Sequence, residues 1–252
     1  SGSDGGNLSL SIDRSVQFLA EQKLILGIEK YGAMGGMVGI MDPATGDIIA
    51  MSSFPAFSPQ KYWEYEENLY TNPFITDTYE PGSTLKPIVM ASALDAGLIT
   101  PQTKCNICGG PVNVSDYDLH TWNDKYYKDT NMIEVIQHSD NTGMVFVALK
   151  LGVDRMISYL GKFGIGSLTD IDLQGETAPS FKPRNAWYDV DLATTGFGQG
   201  ISVTPIELLS AFSGLANEGK IMQPRVVKAF ENANGETLKI PTKVKGTPIS
   251  AK

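Results

Sequence analysis

Two serines, a lysine and an asparagine in this chain are the residue types an acyl-transfer site needs. In Tyr79-Glu80-Pro81-Gly82-Ser83-Thr84-Leu85-Lys86-Pro87, Ser83 and Lys86 stand three residues apart, just past a Pro-Gly break. On a helix starting there they share one face. A serine hydroxyl is a poor nucleophile until a base takes its proton. A lysine is that base only when neutral, which burial or a nearby positive charge favours. A helix start adds unpaired N–H groups and a positive end, both suited to a developing oxyanion. The bland alternative is a polar helix start with a solvated lysine, and S-x-x-K alone does not separate the two.

A second group raises the catalytic reading. Ser139-Asp140-Asn141 lies between two apolar segments. The Ser139 hydroxyl could relay a proton between Lys86 and a leaving group. Asn141 carries a donor and an acceptor, fit to hold Lys86 on one side and a substrate amide on the other. Alone, S-x-N reads as a turn or a cap.

The elements that must position these groups are written in the periodicity. Residues 8–13 alternate like a short strand. Residues 14–31 read as an amphipathic helix capped by Asp13, with Val16, Leu19, Ala20, Leu24, Ile28 and Tyr31 as its apolar face. Residues 36–53 hold two apolar runs around Asp42-Pro43-Ala44-Thr45-Gly46, a β-hairpin. Residues 54–80 read as a long connection. A helix runs from Ser83 to about Ala96 and stops at Gly97. Residues 98–130 read as irregular. Helices follow at 130–139 with a Thr130 cap, at 142–152 and at 153–164. Another begins at Thr204-Pro205-Ile206-Glu207, where an N-cap, a first-turn proline and a capping-box glutamate coincide. Residues 224–239 read as two strands around Asn234-Gly235. Helices and hairpins in this order make an α+β chain.

Composition bounds what such a site could serve. The 252 residues are 42% hydrophobic and 19% charged, with a net charge of −8. No basic cluster could neutralise phosphates, so nucleic acid is not an expected partner. No apolar run reaches membrane-spanning length, and no signal peptide opens the chain. Residues 1–7 read as a linker or an expression scar. Cys105 and Cys108 form a C-x-x-C in a Gly/Pro-rich loop. With His120 and His138 the only histidines, neither suitably spaced, a zinc site is not indicated. The pair reads as structural or incidental, and as a local disulfide if oxidised. No cofactor and no metal are expected.

Four blocks occur together and in order: residues 50–59 (AMSSFPAFSP), 79–87, 139–141 and 196–227. In that order they resemble the transpeptidase domain of class B penicillin-binding proteins, from about residue 8 to the C-terminus. The pairing of S-x-x-K with S-D-N is shared with class A β-lactamases; the Gly-x-Gly-x-x-x-Thr-Pro block is not. The resemblance implies the penicillin-binding, serine β-lactamase-like fold: an antiparallel sheet with helices on both faces and a large helical subdomain. It implies a D,D-transpeptidase acting on D-Ala-D-Ala stem peptides of peptidoglycan and acylated by β-lactams. Ser83 would be the nucleophile, Lys86 its base, Ser139 the relay, and Asn141 the ligand to Lys86 and substrate. Trp122 would wall the substrate groove; a loop anchor is the other reading. A membrane glycosyltransferase is the implied partner. The implied location is extracytoplasmic, anchored by an upstream helix.

One motif of that family is missing. No Lys-Ser/Thr-Gly occurs. Thr194-Thr195-Gly196 precedes the Gly-Gln-Gly block and is a decoy; Lys245-Gly246-Thr247 has the letters in the wrong order. The expectation is a C-terminally truncated domain over 8–252 with an incomplete sheet. Such a domain lacks one oxyanion donor, a loss of about 10²–10³ in rate. Two rivals follow: a β-lactam-sensing or structural pseudo-enzyme, and a class A-like β-lactamase using Glu176.

Overall fold

The computed structural model describes residues 6–251. In chain order its elements are β1 (Asn7–Leu10), α1 (Arg14–Tyr31), β2 (Gly36–Met41), β3 (Ile48–Phe54) and α2 (Pro73–Thr76). Then come α3 (Lys86–Asp95), β4 (Val112–Val114), β5 (Tyr117–Leu119), α4 (Met132–Gln137), α5 (Asn141–Leu151), α6 (Val153–Lys162) and α7 (Asp189–Thr195). The last are α8 (Pro205–Ala216), β6 (Ile221–Met222), β7 (Val227–Glu231), β8 (Thr237–Lys239) and β9 (Val244–Gly246). The chain is α+β, in two compact units that it enters more than once.

One unit holds residues 6–77, Leu168–Ala178 and Thr204–Gly246. Its β2–β3 hairpin is antiparallel, with Gly36 opposite Phe54. Two glycines show what lies on each face. A Cβ on Gly36 would meet Leu24 and Ile28 of α1, while one on Gly39 would meet the Phe74 ring of α2 at 2.1 Å. Residues three apart on a strand face opposite ways, so helices cover both sides. The core on the α2 side joins Ile48, Phe74, Ile75, Ile171 and Ile206. The expected sheet is divided here: β1-β7-β8, β2-β3 and β6-β9 are separate antiparallel sheets. An isolated bridge between Asp47 and Arg225 links the first two. The Arg225 guanidinium donates to the Asp47 carboxylate at 2.6 Å across it.

The other unit holds Thr78–Ser167, Pro179–Val203 and residues 247–251. Its centre is α5, buried on nearly every side from Thr142 to Ala148, as expected of a helix apolar all round. Glycine permits the close packing: a Cβ on Gly143 would strike Val135 of α4, and one on Gly196 would strike Ala148 of α5. Helices α3, α6 and α7 also pack on α5.

Local signals and structure agree at most helix ends. Asp13 accepts from the Ser15 and Val16 amides at the start of α1. Thr204 and Glu207 form the capping box of α8. Gly97, Gly152 and Gly219 all take positive φ just past helix ends. Elsewhere tertiary context prevailed. On α1 only Ala20 and Leu24 are buried, whereas Leu19 and Tyr31 are exposed. Helix α4 is capped by Asn131, not Thr130, in a capping box with Glu134. The stretch read as irregular contains the β4–β5 hairpin, and α7 was not anticipated from the sequence. Cys105 and Cys108 are joined as a disulfide, both fully buried.

Candidate active site

Ser83 sits in a single 3₁₀ turn, Gly82–Leu85, that runs directly into α3. The turn is held from a distant stretch. The Gly82 amide donates to the Gly198 carbonyl at 2.9 Å. Tyr79 and Val203 exchange both main-chain hydrogen bonds at 3.0 Å. The Gly200 amide donates to Glu80 Oε1 at 2.9 Å. Gly198 has φ of 80°, and a Cβ there would lie 2.0 Å from the Gly82 carbonyl oxygen. Glycine is therefore required at 198 both by conformation and by space. The Gly-Gln-Gly block, read from sequence only as a family marker, is the cradle of the serine turn. Tyr79, Glu80 and Gly200 belong to it as well. Nothing in their spacing from Ser83 could have shown this.

Lys86 opens α3 and is 2% exposed. Its Nζ donates to the Ser139 carbonyl at 2.6 Å, the Ser139 hydroxyl at 3.1 Å and Asn141 Oδ1 at 2.8 Å. Burial lowers its pKa from 10.5 to about 8, against the opposing charge of Asp140. The neutral amine is therefore easier to reach than in a free lysine.

Ser139 and Asn141 reach the lysine through the link between α4 and α5. The Ser139 amide donates to the Ile136 carbonyl and the Asp140 amide to that of Val135. Ser139 closes α4 with φ of 51°, the left-handed conformation usually left to glycine. Asp140 then caps α5, with its Oδ1 accepting from the Gly143 amide and the Thr142 hydroxyl. Among the described residues, Asp140 Oδ2 is buried without a hydrogen-bond partner. The three-residue link, His138 to Asp140, leaves the Ser139 carbonyl free to accept from Lys86.

Lys86, Ser139 and Asn141 form one hydrogen-bonded cluster, and Ser83 stands outside it. Ser83 is exposed, and among the described residues no hydrogen bond ties its hydroxyl to Lys86 or Ser139. The donor count explains this. A protonated lysine has three N–H bonds, and three acceptors already take them. Accepting the Ser83 proton requires the neutral amine, whose lone pair becomes free.

The remaining candidates fall where they can be told apart. Trp122 is 74% exposed, on a turn that follows His120, whose carbonyl accepts from Asn141 Nδ2 at 2.9 Å. Glu176 belongs to the other unit, where its carboxylate accepts from the Thr169 and Asp170 amides and the Thr169 hydroxyl. Thr194 and Thr195 end α7, with the Thr194 hydroxyl donating to the Val190 carbonyl. Lys245 lies in β9 and pairs with Asp170 at 2.9 Å. Among the described residues no group of three or more His, Cys, Asp or Glu could hold a metal.

The profile of the penicillin binding protein transpeptidase domain matches residues 36–252. The chain belongs to that family. Stage V sporulation protein D of Bacillus subtilis is 35% identical over 228 residues, covering 90% of this chain and 35% of that protein. The peptidoglycan D,D-transpeptidase FtsI of Escherichia coli is 28% identical over 230 residues, covering 91% and 38%. The chain thus spans little more than a third of these relatives. Penicillin binding protein 3 of Mycobacterium tuberculosis, solved with ampicillin, superposes with a TM-score of 0.93 at 25% identity, over 100% of this chain and 56% of that one. Among the described residues no helix is long and apolar enough to cross a membrane.

Proposed function

We propose that this domain is the acyl-transfer centre of a class B peptidoglycan D,D-transpeptidase. The observation that carries the reading is Lys86: a buried amine with a lowered pKa, bonded to both ends of Ser139-Asp140-Asn141, one turn from an exposed serine. The name of the Escherichia coli relative, a peptidoglycan D,D-transpeptidase, supports the same reading.

The steps follow from the donors and acceptors. Neutral Lys86 takes the Ser83 proton while Oγ attacks the carbonyl carbon of the penultimate D-Ala. The oxyanion forms against the N-terminal turn, where the first amides have no partner within the helix. Collapse breaks the C–N bond. The departing D-Ala amine receives the proton from Lys86 through the Ser139 hydroxyl, leaving an ester on Ser83. An amine of a neighbouring stem peptide attacks that ester, the C–Oγ bond breaks, and the amine's proton passes by way of Lys86 to Oγ, which restores Ser83 and the neutral base. Asn141 Nδ2 keeps one proton for the substrate carbonyl. Trp122 walls the groove. A β-lactam would acylate the same Ser83.

In this reading the protein works outside the cytoplasm, anchored upstream, beside a membrane glycosyltransferase. No Lys-Ser/Thr-Gly motif lies within the 252 residues, so carboxylate recognition is not assigned to any residue here.

The test is acylation of the intact protein by fluorescent penicillin, with the adduct located by mass spectrometry. A penicilloyl ester on Ser83, lost in Ser83→Ala, is the expected result. An adduct elsewhere, or labelling that survives Ser83→Ala, overturns the mechanism. Acylation without cross-linking of stem peptides would instead favour a sensor. Rapid release of hydrolysed antibiotic would favour a β-lactamase.

A further inference from the structure

Asn141 must face two ways, and only one orientation of its amide does so. Its Oδ1 accepts from Lys86 at 2.8 Å and its Nδ2 donates to the His120 carbonyl at 2.9 Å. A flipped amide would turn its NH₂ toward the lysine's donors and its oxygen toward another carbonyl oxygen. The His120 carbonyl therefore selects the orientation that serves Lys86. It also takes only one of the two Nδ2 protons.

That carbonyl is held on both sides. It follows β5, which pairs with β4. On the other side the His120 ring is clamped. Its Nδ1 lies 2.9 Å from the Tyr126 hydroxyl and 3.2 Å from Asp124 Oδ1. Tyr126 also donates to Asp124 Oδ1 at 3.3 Å, closing a triangle. The Thr121 hydroxyl donates to the Lys125 carbonyl at 3.0 Å within the same turn. Asp124 takes φ of 53° to allow it. Polar side chains thus hold the turn whose preceding carbonyl meets Asn141.

We propose that His120 is a positioning residue for acyl transfer: its ring, clamped by Asp124 and Tyr126, sets the main-chain carbonyl that orients Asn141. This rests on the acyl-transfer reading above. His120 touches neither substrate nor Ser83 and acts only through Asn141.

A double-mutant cycle on the intact protein tests it, with the rate of Ser83 acylation by benzylpenicillin as the readout. Losing one supporting hydrogen bond, worth about 1 kcal/mol, slows acylation about fivefold in His120→Ala. Asn141→Ala slows it more. The double variant should be no slower than Asn141→Ala, because the two residues act as one unit. His120→Asn, which keeps a polar atom near the Nδ1 position, should recover most of the rate. If His120→Ala fails to fold, Tyr126→Phe takes its place in the cycle, with a smaller loss and the same non-additivity. Multiplicative losses in the double variant would overturn the proposal while leaving the acyl-transfer reading intact. An Asn141→Ala rate equal to the parent would remove that reading and the proposal with it.

Discussion

The two serine turns of the site are built by opposite means. Ser139 lies in a link made by its immediate neighbours: α4 ends, Ser139 turns left-handed, and Asp140 caps α5. Ser83 lies in a 3₁₀ turn whose supports, Gly198, Gly200 and Val203, are more than a hundred residues away. The hydroxyls differ accordingly. That of Ser139 meets Lys86 at 3.1 Å, and that of Ser83 stays open to a substrate. The proposed relay needs only to touch Lys86, and a local turn suffices for that. The proposed nucleophile is exposed, and the bonds that hold its turn come from residues 198–203.

Removing Lys86, the proposed base, should have the largest effect. Lys86→Ala is expected to slow acylation by about 10²–10⁴. In the parent, acylation should rise as pH climbs toward 8 and level off above it, since only the neutral amine accepts the proton. A rate already flat from pH 6 would contradict a base of this pKa. Stopped-flow labelling across pH 6–9.5 makes the measurement.

Next in size is Gly198→Ala, which strikes the distant support. A Cβ 2.0 Å from the Gly82 carbonyl cannot be accommodated without moving backbone. Thermal unfolding should show a loss of about 3 kcal/mol or more, together with loss of labelling. A stable, fully labelled Gly198→Ala would show that the Ser83 turn does not depend on its cradle.

Ser139 separates strain from chemistry. Both Ser139→Ala and Ser139→Gly remove the relay hydroxyl. Only glycine also relieves the left-handed backbone, so Ser139→Gly should be more stable than Ser139→Ala by about 1 kcal/mol. Equal stabilities from denaturant unfolding would mean that the link is not strained. The smallest effect belongs to Glu80→Ala, which removes a single bond to the Gly200 amide. It should cost roughly 0.5–1.5 kcal/mol and slow labelling only slightly.

What the sequence determined by itself was whatever depends on neighbours within a few residues. Asp13, Thr204-Pro205 and the glycines at 97, 152 and 219 end their helices where the pattern places them, because a cap needs only its own turn. The β2–β3 hairpin and the Asn234-Gly235 turn were legible for the same reason. Ser83, Lys86, Ser139 and Asn141 could be nominated as chemistry, and their letters as a family. Tertiary structure alone decided that Lys86 is buried and its three donors filled, since burial is set by α5 packing on α3. It alone turned the Gly-Gln-Gly block into a cradle and placed His120 against Asn141. It also exposed Leu19 and Tyr31 on a helix whose periodicity predicted them inside. Periodicity says which residues share a face, but only the packed neighbours say how wide that face is.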